Sequence, residues 1–160
     1  MKKFLALIFL AALLAACSKG TSTDLTTGLS YTYNGFGMDK VKVLDSNGKD
    51  IKSKKHPVGS TLKIEMHGIK NYTEEDGKIY PGCSVTAIDK ETQEVVLQSE
   101  DIFANYNGTT KKEFAMPYIT LSFGNTFVAD KEYILKAHFF DKKNVENVID
   151  IELDFEVTPN

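Results

Sequence analysis

Residues 148–157, near the carboxyl end, constrain the fold more than any other part of the chain. From Ile149 onward the side chains alternate strictly between apolar and acidic. The apolar set is Ile149, Ile151, Leu153, Phe155 and Val157, and the acidic set is Asp150, Glu152, Asp154 and Glu156. Successive side chains of a β-strand point to opposite faces, so the alternation predicts a strand with one apolar and one acidic face. The apolar face has to be buried against a second layer. The acidic face is expected to be a solvated, partly salt-bridged surface rather than a metal site.

A period of two recurs along the chain, and no segment has the period of an amphipathic helix. We predict eight strands, over residues 30–33, 40–44, 61–66, 83–89, 94–98, 118–123, 132–140 and 148–157. The Asn47-Gly48 dipeptide favours a tight hairpin turn between Val43 and Ile51. Short strands separated by turns predict an all-β fold, an antiparallel immunoglobulin-like β-sandwich of about seven to eight strands. A barrel is the main alternative.

The first seventeen residues differ in composition from the rest of the chain. Lys2 and Lys3 precede an uninterrupted apolar stretch over residues 4–16, which ends in Leu14-Ala15-Ala16-Cys17. Thirteen apolar residues are fewer than the roughly 20 that cross a bilayer as a helix. The segment resembles the signal peptide and lipobox of a bacterial lipoprotein. The resemblance implies cleavage before Cys17, whose thiol and new amino group would carry acyl chains such as palmitate.

The resemblance also implies a location. In the sorting rule of Gram-negative enteric bacteria, an aspartate after the lipidated cysteine retains a lipoprotein at the inner membrane, and Ser18 stands at that position here. The implied location is therefore the outer membrane, with acylated Cys17 in the bilayer and the domain on the periplasmic or the outer side. We expect a signal peptide over residues 1–16, the lipidated cysteine with a flexible Ser/Thr/Gly-rich tether over residues 17–28, and a β-sandwich over residues 29–160.

Charge and cysteine content narrow the classes of partner and cofactor. Removal of Lys2 and Lys3 with the signal leaves 17 of the 19 basic residues against 22 acidic ones, so the formal charge becomes −5. Such a charge disfavours nucleic acid as a partner. The second of the two cysteines, Cys83, alternates with Val85, a pattern typical of a small buried hydrophobic residue. We therefore expect no disulfide, and no cofactor other than the covalent lipid on Cys17.

No pattern of a known catalytic or metal site occurs in the sequence. His56, His67 and His138 have no second histidine or cysteine three or four residues away, so their spacing gives no support to zinc ligation. Nucleophile-elbow, zinc-protease and phosphate-loop patterns are absent. We predict that the protein is not an enzyme and holds no metal. Lys136 and His138 are instead expected to pair with the carboxylates of the last strand.

Two connections, residues 68–82 and residues 99–113, are much longer than the others. Loops of this length in a compact domain often form binding surfaces. Each mixes aromatic with polar groups, and the candidate contact residues are Tyr72, Tyr80, Phe103 and Tyr106. Tyr72 and Tyr106 are expected to be the most exposed. The alternative is that Ile79, Ile102 and Phe103 plug the ends of the sandwich.

These observations favour a non-catalytic function. The overall form resembles small outer-membrane lipoproteins that carry one β-sandwich, and we expect the sandwich to bind a protein partner as an accessory subunit of an envelope assembly. The alternative is a receptor for a small molecule, a glycan or calcium, with an oxygen-rich rim formed by Glu74, Glu75, Asp76, Glu100 and Asp101. A hydrolase that uses Cys83 is less favoured, because an apolar strand face opposes formation of the thiolate.

Overall fold

The computed structural model describes residues 19–160, which form ten β-strands and, over that range, no helix. The strands are β1 (Lys19–Asp24), β2 (Leu29–Asn34), β3 (Lys40–Asp45), β4 (Lys55–Pro57), β5 (Thr61–His67), β6 (Pro81–Asp89), β7 (Val95–Ser99), β8 (Tyr118–Ser122), β9 (Lys131–Asp141) and β10 (Asn144–Thr158). The predicted signal peptide and the predicted lipidation site at Cys17 lie outside the described residues.

The strands form two sheets that enclose one core. The larger sheet has seven strands in the order β1-β2-β10-β9-β6-β7, with β4 beside the last residues of β10, and the smaller sheet has the order β3-β5-β8. β4 runs parallel to β10, and the other strand pairs are antiparallel. The predicted all-β antiparallel sandwich is confirmed, with ten strands rather than seven to eight. The barrel alternative is wrong, because within residues 19–160 both sheets end in edge strands.

β10 has the two faces that its sequence predicts. Its alternating apolar side chains are buried in the core. On the other face, His138 Nδ1 lies 2.7 Å from Asp150 Oδ1, and Lys136 Nζ lies 3.3 Å from Glu152 Oε1. These residues are directly opposed on β9 and β10, so the predicted pairing of Lys136 and His138 with the acidic face is confirmed.

The predicted flexible tether is wrong from Lys19 onward. β1 pairs along its whole length with β2, from Lys19 opposite Asn34 to Asp24 opposite Leu29. The turn between the two strands is closed by the Gly28 N–H, which donates to Asp24 O at 2.9 Å. A composition rich in Ser, Thr and Gly is typical of linkers, but the open edge of β2 supplies hydrogen-bond partners for this segment. The sandwich therefore includes residues 19–24, which the prediction had assigned to the tether.

Gly20 allows β1 to pack onto the ring of Tyr33. The two residues are directly opposed, and a β-carbon at residue 20 would overlap the ring. From composition alone, this glycine would be taken as a source of flexibility. In the structure, the Tyr33 side chain crosses the neighbouring strand at this position.

One predicted turn is present, and β4, like β1, was not predicted as a strand. Gly48 has a φ of 79° and its N–H donates to Asp45 O at 3.0 Å, which confirms the hairpin at Asn47-Gly48. β4 was missed, because three residues are too few to show a period. It contributes the buried His56, whose ring centroid lies 5.0 Å from that of Phe123.

Aromatic rings fill both ends of the core and form two clusters. The Phe155 cluster, at the end where β1 finishes, contains His56, Phe123, Phe127, Tyr133 and Phe155. The Phe139 cluster, at the end where β1 begins, contains Phe36, Tyr72, Phe103, Tyr106, Phe114 and Phe139. We call this second end of the sandwich the Lys19 end, since the register places Phe139 level with Gly20.

Candidate functional site

The β7–β8 connection, residues 100–117, passes from the edge of the larger sheet to the edge of the smaller one. Asp101 fixes its first half. Oδ1 of Asp101 accepts hydrogen bonds from the Cys83 N–H at 3.0 Å and the Phe103 N–H at 2.8 Å, and Oδ2 lies 2.7 Å from Lys142 Nζ. Burial alone would raise the pKa of Asp101, but the hydrogen bonds from Lys142, Cys83 and Phe103 together hold it below its ordinary value. The connection is thereby attached to β6 and to the β9–β10 hairpin.

Glu113 fixes the second half of the connection. Its carboxylate accepts hydrogen bonds from the Thr110 N–H at 3.2 Å, the Thr110 hydroxyl at 2.9 Å and the Thr109 hydroxyl at 3.3 Å. These bonds, led by the one from the Thr110 N–H, hold the pKa of Glu113 below its usual value. The turn is completed by the Phe114 N–H, which donates to Thr110 O at 3.1 Å. Phe114 is buried, so the turn brings its ring into the core.

The two long connections contact each other. The Ile79 N–H donates to Thr109 O at 2.8 Å, and the Thr109 N–H donates to Ile79 O at 3.0 Å. Lys111 forms an ion pair with Glu74 across the same junction. Ile79 is fully buried, which confirms the alternative prediction that it plugs an end of the sandwich.

An apolar groove lies between the β7–β8 connection and the start of β8. Its floor is formed by Phe103 and Phe114, with ring centroids 5.1 Å apart. Phe114 is in turn stacked on Phe139 at 6.1 Å. The groove has a volume of about 310 Å³, and its lining residues are Ile102, Phe103, Tyr106, Glu113, Phe114, Met116, Pro117 and Tyr118. It is the place where the Phe139 cluster reaches the surface.

The apolar walls of the groove are exposed to solvent. Ile102, Tyr106, Met116 and Tyr118 all expose at least 40% of their surface. The Tyr118 ring carries a cation above it, because Lys63 Nζ lies 4.7 Å from the ring centroid. This arrangement is suited to a binding surface, because it combines apolar and aromatic side chains with polar groups such as the Glu113 carboxylate and the Tyr106 and Tyr118 hydroxyls.

The structure places two of the four predicted contact residues in the groove. Phe103 and Tyr106 lie there together, with ring centroids 5.5 Å apart. Tyr80 is half-buried outside the groove lining, and Lys143 Nζ lies 4.6 Å from its ring centroid. Ile102, which the alternative prediction placed in an end plug, is instead an exposed part of the groove wall.

The prediction that Tyr72 is exposed is wrong. Its side chain is buried, with 8% of its surface exposed, and its ring packs edge-on against Phe36 at 5.0 Å. The cause lies in the flanking backbone, because the Thr73 N–H donates to the buried carboxylate of Asp141 at 2.8 Å and so holds this loop against the core. Tyr72 Oη has no hydrogen-bond partner among the described residues. Burial, and then the charge of Asp141, raise its pKa.

Sequence reasoning missed Met116 and Tyr118 as members of the site. Met116 lies in a bend two residues before β8, and Tyr118 is the first residue of that strand. Tyr118 is on the exposed face of β8, since Ile119 and Leu121 are buried on the other. A large apolar residue on the solvent face of a strand, with another just before it, is the signal that could have identified them.

The other predicted chemical groups occupy positions with little reactivity. Cys83 is buried, as predicted, and burial raises the pKa of its thiol to about 12. Three carboxylates of the proposed oxygen-rich rim are paired with lysines, in the pairs Glu74–Lys111, Glu75–Lys143 and Asp101–Lys142. Residues 19–160 contain no group of three or more His, Cys, Asp or Glu side chains that could hold a metal ion. In the same range, no helix is long and apolar enough to cross a membrane.

Comparison with known proteins gives structural likeness only. No protein family matches the sequence, and no curated protein matches it. Similar solved structures include the soluble domain of PmoD from a Methylocystis species, at 7% identity over 86% of this chain and 95% of that chain, with a TM-score of 0.38. They also include chicken MD-1 complexed with lipid IVa, at 12% identity over 86% of this chain and 96% of that chain, with a TM-score of 0.30. At such low TM-scores the groove is interpreted from its own residues alone.

Proposed function

We propose that the protein is a non-catalytic lipoprotein, anchored in the outer membrane by acylated Cys17, that binds a protein partner through the groove as an accessory subunit of an envelope assembly. The observation that carries the proposal is the exposure of four large apolar side chains, Ile102, Tyr106, Met116 and Tyr118, around one phenylalanine floor. A cluster of exposed apolar residues marks an interaction site, whereas singly scattered ones are normal on any protein surface.

The composition and the rigidity of the groove suit association with a protein. Tyrosine and methionine are enriched at protein interfaces, and methionine adapts its shape to different neighbours. The β7–β8 connection is held at Asp101 and again at Glu113. A site that is already ordered loses less conformational entropy on binding than a mobile one, so more of the apolar contact contributes to affinity.

The neighbouring strand indicates the shape of the partner segment. In the described part of the chain, β8 is an edge strand that pairs with β5, and none of its five residues is charged. Charged residues are a common means of blocking an edge strand, and an open edge accepts an extended peptide as a further strand. A peptide paired with β8 brings alternate side chains next to Tyr118 and the groove. The proposed partner therefore contributes an extended segment with at least one large apolar side chain.

The anchor and the non-catalytic role have separate support. The lipobox over residues 14–17 supports acylation of Cys17. The buried thiol of Cys83, whose pKa is raised, supports a structural rather than a nucleophilic cysteine, because the thiolate is the reactive form.

A small apolar molecule is the second candidate ligand. The volume of the groove, about 310 Å³, lies at the lower limit of the roughly 300–1,000 Å³ typical of ligand pockets. Calcium or a glycan at the acidic rim is less well supported, because Glu74, Glu75 and Asp101 already have lysine partners. A cation would have to displace those ammonium groups before the carboxylates could bind it.

Co-purification from the native envelope tests the proposed function. The full-length lipidated protein is solubilised in detergent and captured, and stably associated proteins are identified. The groove variant combines Ile102→Asp with Met116→Asp. Its matched control combines Val95→Asp with Val128→Asp, since these two valines are about as exposed but line no part of the groove. Cys17→Ala provides an unanchored form of the chain.

The expected result is a partner retained by the wild type and by the valine control but lost from the groove variant. Equal retention by the groove variant would show that the groove is not the contact surface. A wild-type chain that captures no partner would contradict the protein-binding function. Thermal melting with a panel of small apolar compounds then tests the second candidate, which predicts a raised melting temperature in the wild type and none in the groove variant.

A further inference from the structure

The spacing between Cys17 and β1 leaves little room between the proposed anchor and the sandwich. β1 begins at Lys19, so a single residue, Ser18, separates Cys17 from the first strand. Two residues of chain reach at most about 7 Å when fully extended. If Cys17 is acylated, as the proposed function requires, the beginning of β1 is held next to the headgroups of the bilayer.

The register of the larger sheet shows what else lies at that height. One row of directly opposed residues crosses five strands and consists of Gly20, Tyr33, Ile149, Phe139 and Cys83. The Ile102 N–H donates to Cys83 O at 2.8 Å, which continues the row into the groove. Val148 lies opposite Asn34, which in turn lies opposite Lys19. The β9–β10 hairpin is therefore also at the Lys19 end.

Exposed apolar residues are concentrated at the same end. Five of the eight large apolar side chains that the described residues expose lie there, namely Ile102, Tyr106, Met116, Tyr118 and Val145. Val145, in the β9–β10 hairpin, is 85% exposed and is the most exposed of all eight. The remaining three, Leu25, Val95 and Val128, lie at or toward the opposite end.

The two lysines of the β9–β10 hairpin are both paired with carboxylates. Lys142 pairs with Asp101, and Lys143 pairs with Glu75 and lies over the Tyr80 ring. Neutralised pairs are less costly to bring toward a low-dielectric region than single charges. Tyrosine side chains are enriched at the boundary between headgroups and acyl chains, where an apolar ring and a polar hydroxyl are both accommodated.

We infer that the Lys19 end rests on the bilayer surface, with Val145 of the β9–β10 hairpin in the interfacial region and the groove opening sideways just above it. The inference rests on the proposed acylation of Cys17. It also narrows the proposed partner, because an extended segment that enters the groove has to lie along the membrane surface. Leu25, six residues further along the chain, lies roughly 20 Å from Lys19 along the strand direction, away from the bilayer.

A single tryptophan reports the depth of each end, because the chain contains none. Val145→Trp is compared with the matched control Leu25→Trp, since both positions are more than 80% exposed. Each full-length lipidated variant is reconstituted in vesicles of phosphatidylethanolamine and phosphatidylglycerol, with and without brominated acyl chains as quenchers. We expect blue-shifted emission that is lost in the brominated vesicles for Val145→Trp, and unchanged emission for Leu25→Trp.

A second variant tests whether the short spacing is the cause. Insertion of about ten Gly and Ser residues after Ser18 gives a root-mean-square reach of roughly 17 Å, which is expected to abolish the difference between the two tryptophan positions. Equal quenching at both positions without the insertion, or quenching at Leu25→Trp alone, would overturn the inference. The inference would also be overturned if the tryptophan of Val145→Trp is shielded from water in the native envelope but not in pure lipid vesicles, because a protein rather than lipid would then cover this end.

The outcomes for the anchor, the groove and the orientation are separable. Flotation of the protein with the vesicles reports acylation at Cys17. Co-purification with the groove variant reports partner binding, whether or not the Lys19 end touches lipid. A protein that floats but leaves Val145→Trp unquenched contradicts only the orientation, whereas a protein that does not float contradicts the anchor.

Discussion

The two aromatic clusters are built from the same chemistry but end differently. Neighbouring ring centroids are between 5.0 and 6.4 Å apart in both. All members of the Phe155 cluster are buried, whereas the Phe139 cluster passes through half-buried Phe103 to Tyr106, which exposes 50% of its surface. One cluster therefore closes its end of the sandwich, and the other continues to the surface.

The source of the rings explains the difference. The Phe155 cluster takes its rings from strands or from positions close to strand ends, such as His56 in β4 and Phe123 directly after β8. The Phe139 cluster takes Phe103, Tyr106 and Phe114 from the long β7–β8 connection. Elements that pack directly on one another seal a core, while a long connection can carry apolar residues past its boundary. In this fold the connection supplies three of the four exposed apolar side chains of the groove, and β8 supplies only Tyr118.

The largest expected effect compares one phenylalanine from each cluster. Phe155→Ala removes a ring that is 2% exposed and is expected to lower the free energy of unfolding by about 3–5 kcal/mol. Phe103→Ala removes a half-buried ring and is expected to cost only about 1–2 kcal/mol. Urea unfolding of the two variants measures both values. Equal losses would show that the Phe139 cluster is as closed as the other, contrary to the comparison.

Sequence periodicity predicted most of the sheets because most strands carry their own alternation. The pairing of His138 with Asp150 followed from the phases of two neighbouring strands. β1 carries no apolar face and has the composition of a linker, so its place in the sheet depends on the open edge of β2 and on the Tyr33 ring over Gly20. Those are tertiary contacts, and no local pattern encodes them.

The candidate site was predictable only in part, for the same reason. Phe103 and Tyr106 could be identified because aromatic residues in a long connection are conspicuous. Tyr72 also lies among polar residues in a long connection, which predicts exposure. Its burial depends on a hydrogen bond between Thr73 and Asp141, which are 68 residues apart. A long-range bond of that kind decides whether a loop tyrosine faces the core or the solvent.

Two tyrosine hydroxyls sharpen the comparison. Tyr133 Oη accepts a hydrogen bond from the Val128 N–H at 2.9 Å, so Tyr133→Phe in the Phe155 cluster is expected to cost about 1 kcal/mol. Tyr72 Oη in the Phe139 cluster is buried with no partner among the described residues. Tyr72→Phe is therefore expected to be neutral or stabilising, because it removes an unsatisfied polar group. Thermal melting of both variants is the measurement, and a larger loss for Tyr72→Phe would point to a hydrogen bond at its hydroxyl.

The clusters are also expected to respond to acid in different pH ranges. Burial lowers the pKa of His56 below its ordinary value of 6.5. As pH falls below about 6.5, His56 is therefore protonated in the unfolded chain but stays neutral in the folded chain until the pH reaches its lowered pKa. The free energy of unfolding decreases over that window. Asp101 and Glu113, which hold the groove, have lowered pKa values. Their contribution is present above the ordinary carboxyl pKa of about 4 and is lost as pH falls below it.

His56→Leu separates the two pH ranges. The variant is expected to show a smaller decrease in the free energy of unfolding between pH 7 and pH 5 than the wild type, while the decrease below pH 4 is unchanged. Urea unfolding at a series of pH values provides both slopes. An unchanged slope between pH 7 and pH 5 would mean that His56 can be protonated within the folded cluster.

The smallest expected change in stability comes from the exposed end of the Phe139 cluster. Tyr106→Ala is expected to change the free energy of unfolding by no more than about 0.5 kcal/mol, because half of the side chain is already in water. The same substitution should weaken partner retention in the co-purification, and Tyr106→Phe, which keeps the ring, should preserve it. A loss of stability as large as that of Phe103→Ala would show that Tyr106 closes the core rather than contacts a partner. Both ends of the sandwich would then be sealed in the same way, and the groove would be part of the core rather than a binding site.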